Sequence, residues 1–381
     1  MIQLINVIGA RPQIIKAAAI HRAIAQHFRE QINEVIVHTG QHYDHNMSRV
    51  FFEELGIPKE DVNLEVGSLS HAKQTANIMT RIEDLLLERK PDAVVVYGDT
   101  NSTLAASLAA AKIHIPVVHI EAGLRSFNKK MPEEINRVVC DQVSTLLFAP
   151  TKTAVDNLLR EGFDPDSRKP YSIDRPGIFL SGDVMFDNTL YFASLAEQYQ
   201  SKLDAFGLRK GEYALVTIHR DNNTDDPERL SGIFEGILEF SEAAQLKCLI
   251  PLHPRTSRIL HSMLNERLLK NLRNSKWIRI AEPLSFLEMS LFEKYSRIIL
   301  TDSGGVQKEA FFHRKPCVIL RSETEWVEIV ASGTAALADA DRRKIVELTL
   351  KFLKNPPQEF PAFFGKGDSA EVICWKIIDS F

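Results

Sequence analysis

At 381 residues the chain exceeds what one hydrophobic core ordinarily fills, so two domains are the default expectation. Hydrophobic residues make up 44% and charged residues 25%, ordinary values that exclude disordered and fibrous classes. A formal net charge of -4 leaves no global basic field for nucleic acid, so any anion must be held by local groups.

The first element, Ile2–Ile8, is short, alternating and without a basic leader, and reads as a strand rather than a signal peptide. In the first half, strands follow at Glu34–His38, Ala93–Tyr97, Val117–Ile120, Leu146–Ala149 and Ile178–Leu180. Amphipathic stretches at Ile14–Phe28, Gln74–Glu88 and Ser102–Ala111 lie between them as helices. Asp164 to Gly177, rich in Pro, Asp, Ser and Arg, reads as a loop, and a long helical stretch runs from Phe186 to Phe206. The second half repeats the scheme, with strands at Tyr213–Ile218, Lys247–Pro251, Trp277–Ile280, Ile298–Leu300 and Pro316–Leu320. Its helices run near Arg229–Glu242, Ser285–Phe292 and Val306–His313. Strands of this length separated by helices imply parallel sheets with crossovers, an α/β fold. The expected domains are 1–185 and 186–366, with 367–381 as a C-terminal helix packing back on the first.

Cys140, Cys248, Cys317 and Cys374 form no C-x-x-C pair and no metal-like spacing with histidine, and read as buried thiols in a reducing compartment. No apolar run approaches the roughly 18–20 residues that span a bilayer. A soluble, cytoplasmic protein with no membrane or nucleic-acid partner and no metal is expected.

Open parallel sheets bind ligands outside the carboxyl ends of their strands. The polar signatures of this chain fall there. Gly9-Ala10-Arg11-Pro12-Gln13 follows the first strand, with Gly9 suited to a tight turn and Pro12 to a helix start. Arg11 and Lys16 stand beside that helix terminus, as an anion site or as solvated charges of a turn. Gly98-Asp99-Thr100-Asn101 follows another strand, and Asp99 fits either a cleft carboxylate or a helix cap. Glu121 closes an apolar strand. Glu133, Glu134 and Arg137 sit 12 to 16 residues on, where Glu133 could join the same cleft or merely pair with Arg137 one turn along a helix.

In the second half, His219-Arg220-Asp221-Asn222-Asn223 and His253-Pro254-Arg255 each follow a strand. His253 reads equally as a cleft residue or a satisfied structural histidine. Asp302-Ser303-Gly304-Gly305 opens a helix, where a hydroxyl, bare N–H groups and the helix dipole coincide as a phosphate cradle. Glu309 lies about 8 Å further along that helix, within reach of a ribose whose phosphates sit at its start. No G-x-G-x-x-G fingerprint, Walker lysine, H-E-x-x-H or G-x-S-x-G appears.

These motifs, in this order, closely resemble the non-hydrolysing UDP-N-acetylglucosamine 2-epimerase family, from Gly9-Ala10-Arg11-Pro12 to Thr324-Glu325-Trp326. The combination of Tyr97-Gly98-Asp99-Thr100, Glu121-Ala122-Gly123-Leu124-Arg125, Pro132-Glu133-Glu134-Ile135-Asn136-Arg137 and Asp302-Ser303-Gly304-Gly305 is highly specific. The resemblance implies the GT-B fold: two Rossmann-like domains, parallel sheets, an interdomain cleft and a homodimer. It implies that Arg11, Lys16, His219, Ser303, Gly304 and Gly305 hold a diphosphate, with His219 also a catalytic group. Glu309 would take the ribose hydroxyls and the backbone near Met289 the uracil. Asp99, Glu121 and Glu133 would carry the proton transfers, and Arg137, Arg255 and His253 would line the cleft.

C2 of a nucleotide sugar is not adjacent to a carbonyl, so simple enolisation is closed to it. The family's implied route is loss of UDP from C1 with removal of the C2 proton, giving a glycal. UDP then re-adds after reprotonation from the other face, and no cofactor enters. Several positions depart from the best-known members: Gln13 stands where Glu is common, Asp44 where a glutamine is usual, Asn222 for Glu and Trp326 for Arg. Asp44, with Lys73-Gln74, falls where some relatives bind a regulatory UDP-GlcNAc, so the departure weighs against such regulation and leaves open whether that site survives. The pattern is similar to the subgroup acting on UDP-2,3-diacetamido-2,3-dideoxyglucuronate, leaving two candidate substrates. A GT-B glycosyltransferase, a hydrolysing epimerase and a non-catalytic sensor remain distant alternatives. Three strand-end carboxylates and the intact Gly-Ala-Arg-Pro segment weigh against them. The resemblance implies supply of an activated sugar for a capsule or lipopolysaccharide.

Overall fold

The computed structural model describes residues 1–41, 60–252 and 254–381, without the side chains at 254, 255, 257, 258 and 261. Asp44 and His253 therefore lie outside the described residues, as does the side chain of Arg255. The chain divides into two compact units, Met1–Asn188 with Ala362–Phe381, and Thr189–Pro361.

The first unit is built on seven parallel strands: β1 (Ile2–Ile8), β2 (Ile32–His38), β3 (Val62–Asn63), β4 (Ala93–Tyr97), β5 (Val117–Ile120), β6 (Leu146–Ala149) and β7 (Gly177–Leu180). Their spatial order is β3-β2-β1-β4-β5-β6-β7. The central strands are buried along their whole length, as Ala93–Tyr97 and Leu146–Ala149 illustrate. That is why they read as continuous apolar runs. The second unit repeats the plan with β8 (Tyr213–Thr217), β9 (Lys247–Pro251), β10 (Ile278–Ala281), β11 (Ile298–Thr301), β12 (Cys317–Ile319) and β13 (Ala335–Leu337), ordered β10-β9-β8-β11-β12-β13. Its core packs Val216, Ile233, Phe234, Ile250, Leu300 and Val318.

Differences from the sequence reading fall at edges and ends. β2 begins at Ile32, which pairs with Ile2. The edge strands β3 and β13 hold two and three residues, too few to show a period. The helix expected over Ile14–Phe28 starts at Arg11 and becomes a π-helical turn at Ile24–Phe28. The stretch from Phe186 to Phe206 is not one helix but Val184–Leu195, a 3₁₀ turn at Ala196–Tyr199, and Ser201–Ala205. At that break the Glu197 carboxylate accepts the Tyr295 hydroxyl at 2.6 and 2.7 Å. The C-terminal helix, Ser369–Ser380, lies against the helix Arg11–Ala23, and Asp187 accepts the Ala370 N–H at 2.7 Å. All four cysteines are buried and unbridged. No described helix is long and apolar enough to cross a membrane.

Candidate active site

Strands β1, β4 and β5 lie side by side, so their polar ends share one edge of the first sheet. At the end of β1 a Cβ on Gly9 would stand 2.1 Å from Ser102 Oγ and 2.2 Å from Thr39 Oγ1. Close approach, not a left-handed turn, requires glycine there. Gln13 fastens the same corner. Its Oε1 accepts the N–H groups of Gly9 and Ala10 at 2.9 and 3.1 Å. Its Nε2 donates to the Tyr97 carbonyl at 3.1 Å and to Thr103 Oγ1 at 2.9 Å. An ionised glutamate could not donate to that carbonyl, which gives this departure from the family pattern a physical reason. Arg11 is exposed at the helix start, and Lys16 forms an ion pair with Glu121.

Glu121 takes a left-handed φ of +74° and Gly98 one of +59°. A Cβ at Gly98 would stand 3.0 Å from both Glu121 Oε2 and Lys16 Nζ, so this pair sits directly against the turn that leads to Asp99. Non-glycine residues adopt such a φ only where neighbours hold them, and such positions cluster at functional sites. The helix after β4 is capped by Thr100, whose Oγ1 accepts the Thr103 N–H at 3.2 Å. The capping role open to Asp99 is thus filled by its neighbour. The Asp99 carboxylate pairs with Arg137, while Asn136 holds the Asp99 carbonyl at 2.9 Å. Burial raises the Asp99 pKa, and Glu121 and Glu133 add to the rise against Arg137 and Lys16.

Glu133 is exposed in the first turn of the helix Pro132–Gln142. The pairing considered for it with Arg137 does not form. Arg137 instead binds Asp99 and reaches Glu134 at 3.5 Å. Glu134 is buried and accepts the N–H groups of Ser126 and Phe127, each at 2.9 Å. Behind this edge lies a buried set that spacing alone did not reveal. His119 meets Asp141 at 2.7 Å, Arg125 meets Asp141 at 2.8 Å, and Arg125 also meets Glu161 at 2.6 Å. The residues come from a strand, a loop, a helix and the end of another helix, so no local pattern announces them.

In the second unit, β8 and β11 are neighbours. Asp302, fully buried at the end of β11, accepts the N–H groups of His219 and Arg220 at 3.1 and 3.0 Å and the Asn223 amide at 3.1 Å. Burial opposes its ionisation, yet these bonds and the His219 ring hold its pKa below the usual value. His219 Nδ1 lies 3.2 Å from that carboxylate, and the side chain is 49% exposed. Asn223 also donates to the Leu320 carbonyl at 2.9 Å and accepts from Arg229, tying three strand ends together. It was not singled out from the sequence, where it reads as one of several loop polars.

Ser303 caps the helix Gly304–Phe312, its Oγ accepting the Val306 N–H at 3.4 Å. The helix start is uncrowded. A Cβ at Gly304 would come no nearer than 3.6 Å to the Glu325 carboxylate, and one at Gly305 no nearer than 3.8 Å to Ser303 Oγ. Glu325 is ion-paired with Arg321 at 2.8 Å and lies 4.0 Å from Arg220. Trp326 donates its indole N–H to the Gly304 carbonyl at 3.0 Å, and Lys308 Nζ stands 4.2 Å from its ring. Glu309 is half-buried and abuts Glu293, whose pKa is raised by burial and then by Glu309. Met289 lies in the helix Phe286–Tyr295, its N–H donated to the Ser285 carbonyl at 2.9 Å. Arg255 falls on the helix Pro254–Met263.

A family model described as UDP-N-acetylglucosamine 2-epimerase matches residues 25–378. A Pseudomonas aeruginosa protein named UDP-2,3-diacetamido-2,3-dideoxy-D-glucuronate 2-epimerase is 45% identical over 373 residues, 98% of each chain. The crystal structure of Methanocaldococcus jannaschii UDP-GlcNAc 2-epimerase, in complex with UDP-GlcNAc and UDP, matches with a TM-score of 0.82 at 41% identity, covering 98% of this chain and 99% of that one. A Phytolacca americana protein complexed with UDP-2-fluoro-glucose and pterostilbene, at 10% identity and a TM-score of 0.61, shares the GT-B-like fold alone. The chain belongs to the UDP-N-acetylglucosamine 2-epimerase family, whose members are isomerases of UDP-linked sugars.

Proposed function

We propose that the protein inverts C2 of a UDP-linked N-acetylated sugar, interconverting UDP-N-acetylglucosamine and UDP-N-acetylmannosamine, by eliminating UDP to a glycal and adding it back. The observation that carries the reading is the pair of strand-end carboxylates around Gly98: Asp99 against Arg137, and Glu121 against Lys16. A carboxyl whose pKa burial has raised, such as Asp99, is better suited to take and return a proton than an ordinary one. Glu133 is the third group of the proton transfers. Departure of UDP requires donors aimed at its diphosphate. Ser303, Gly304 and Gly305 supply a helix terminus, and His219, Arg11 and Lys16 supply the cationic or hydrogen-bonding groups. Glu309 takes the ribose hydroxyls, the backbone near Met289 takes the uracil, and Arg137, Arg255 and His253 complete the sugar site. The route needs no cofactor.

A second substrate, UDP-2,3-diacetamido-2,3-dideoxyglucuronate, is the one in the name of the P. aeruginosa protein that is 45% identical. A cytoplasmic homodimer supplying sugar for a capsule or lipopolysaccharide completes the reading. An apolar groove of about 460 Å³ in the first unit, lined by Met79, Leu104, Pro132 and the exposed Ile135, supports self-association.

Each UDP-sugar incubated in deuterated water and followed at C2 by NMR tests the reading. Inversion with one solvent deuterium at C2 and no net UDP release is the expected result. UDP release that requires an added acceptor would establish a transferase instead.

A further inference from the structure

One buried side chain bonds directly to the turn that leads to Asp99 and, through Asp141, to the turn that follows Glu121. His119, in β5, is fully inaccessible, with Nε2 2.8 Å from the Gly98 carbonyl oxygen and Nδ1 2.7 Å from Asp141 Oδ1. Gly98 directly precedes Asp99, and Glu121 follows His119 by two positions. Neither partner can donate. A carbonyl oxygen only accepts, and Asp141 stays ionised because its other oxygen accepts the Gly123 N–H at 3.1 Å and Arg125 Nη1 at 2.8 Å. Both ring nitrogens must therefore donate, which makes the ring an imidazolium. Its charge is matched by Asp141, and that of Arg125 by Asp141 and Glu161. Cys140, from the same helix as Asp141, is the remaining titratable neighbour of the ring and is itself buried. Asp141 in turn is held below the usual carboxylate range, where burial is outweighed by His119 and Arg125.

We infer that His119 is a positioning residue: its charge-assisted bond to the Gly98 carbonyl, with the bond of Asp141 to the Gly123 N–H, clamps the left-handed turns that orient Asp99 and Glu121. The clamp is placed where strain needs it. Glu121 sits at φ +74°, between Gly98 at +59° and Gly123 at +78°; glycine adopts such a φ freely, but a glutamate keeps it only where neighbours hold it. Charge-assisted bonds are the stronger kind, and here they are excluded from water. A neutral imidazole could donate to only one of the two acceptors, and would release either the Gly98 carbonyl or Asp141. The inference rests on the assignment of Asp99 and Glu121 to proton transfer.

His119→Gln in the full-length protein is the test. The expected result is a loss of at least about tenfold in kcat for deuterium incorporation at C2, since small misplacement of a reacting group is costly. UDP affinity by calorimetry is expected to stay within about twofold, because the lesion is in turnover rather than ground-state binding. In ¹⁵N-histidine spectra of the wild type, both ring nitrogens of His119 are expected to remain protonated at pH 8, well past the ordinary histidine value of about 6.5. Should His119→Gln fail to fold, Asp141→Asn, which removes the counter-charge and keeps the ring, carries the same kinetic expectation. A folded variant with a lowered Tm but wild-type kcat, a parallel loss of UDP affinity, or a neutral ring at neutral pH would each overturn the inference. Wild-type turnover in Asp99→Asn would instead sink the carboxylate assignment itself, so the two failures are distinguishable.

Discussion

The two sheets put opposite kinds of chemistry at their strand ends. In the first unit the edge is made of side-chain charge: Asp99, Glu121, Glu133 and Glu134 against Lys16 and Arg137, over a buried ionic layer of His119, Asp141 and Arg125. In the second unit the central feature is backbone: an open helix start at Ser303–Gly305, fastened from behind by Asp302, Asn223 and Trp326. Under the proposed function the two edges divide the labour. Protons are moved by groups whose charge changes, so the first edge sets carboxylates in competing fields. A leaving diphosphate is best held by donors whose charge does not change, and a helix terminus is such a donor.

The contrast can be broken or sharpened by substitution. Asp99→Asn removes a titrating group from the first edge and is expected to cut turnover by about 10²- to 10⁴-fold. UDP affinity, measured by calorimetry, should be largely unaffected. Wild-type turnover would remove Asp99 from the mechanism.

The glycines of the two edges should then fail in different ways. Gly9→Ala drives a methyl into Ser102 and Thr39, and is expected to destabilise the protein by about 1–3 kcal/mol in denaturant unfolding. Gly304→Ala meets nothing nearer than 3.6 Å within the protein, so Tm should hold. UDP affinity should nevertheless fall by about tenfold, because the methyl takes the space a phosphate would approach. If Gly304→Ala unfolds the protein while Gly9→Ala is silent, the comparison is reversed.

The smallest effect is in pH. The folded-state pKa of Asp99 is raised, so its contribution to stability is fully present below the unfolded value of about 4 and is lost as pH rises through the folded value. That of Asp302 is lowered, so its contribution is present above about 4 and is lost as pH falls through the folded value. Between acid and neutral pH, the wild type should therefore lose stability relative to Asp99→Asn and gain it relative to Asp302→Asn. Paired thermal melts across that range would show the opposite slopes, and equal slopes would contradict the assigned environments.

Much of this was legible in the sequence because fully buried parallel strands leave an unbroken apolar run, as at Ala93–Tyr97 and Ile298–Thr301. The polar segments could then be placed at strand ends by rule. What escaped has physical causes. Val62–Asn63 and Ala335–Leu337 are too short to carry a period. The cap after β4 was ambiguous because Asp99, Thr100 and Asn101 are all capping types, and only the hydrogen bond to Thr103 selects one. His119 and Asp141 stand 22 residues apart, and Gln13 reaches Thr103 across 90. Such partnerships are made by the sheet, not by the local chain.

The proposed reaction cleaves the bond between C1 and the UDP oxygen while C2 exchanges its proton. Positional isotope exchange tests this directly, using substrate labelled with ¹⁸O in the bridge between C1 and the β-phosphorus. The elimination route predicts that label migrates to the non-bridging β-oxygens in step with epimerisation. Inversion at C2 with the label fixed in the bridge would contradict it.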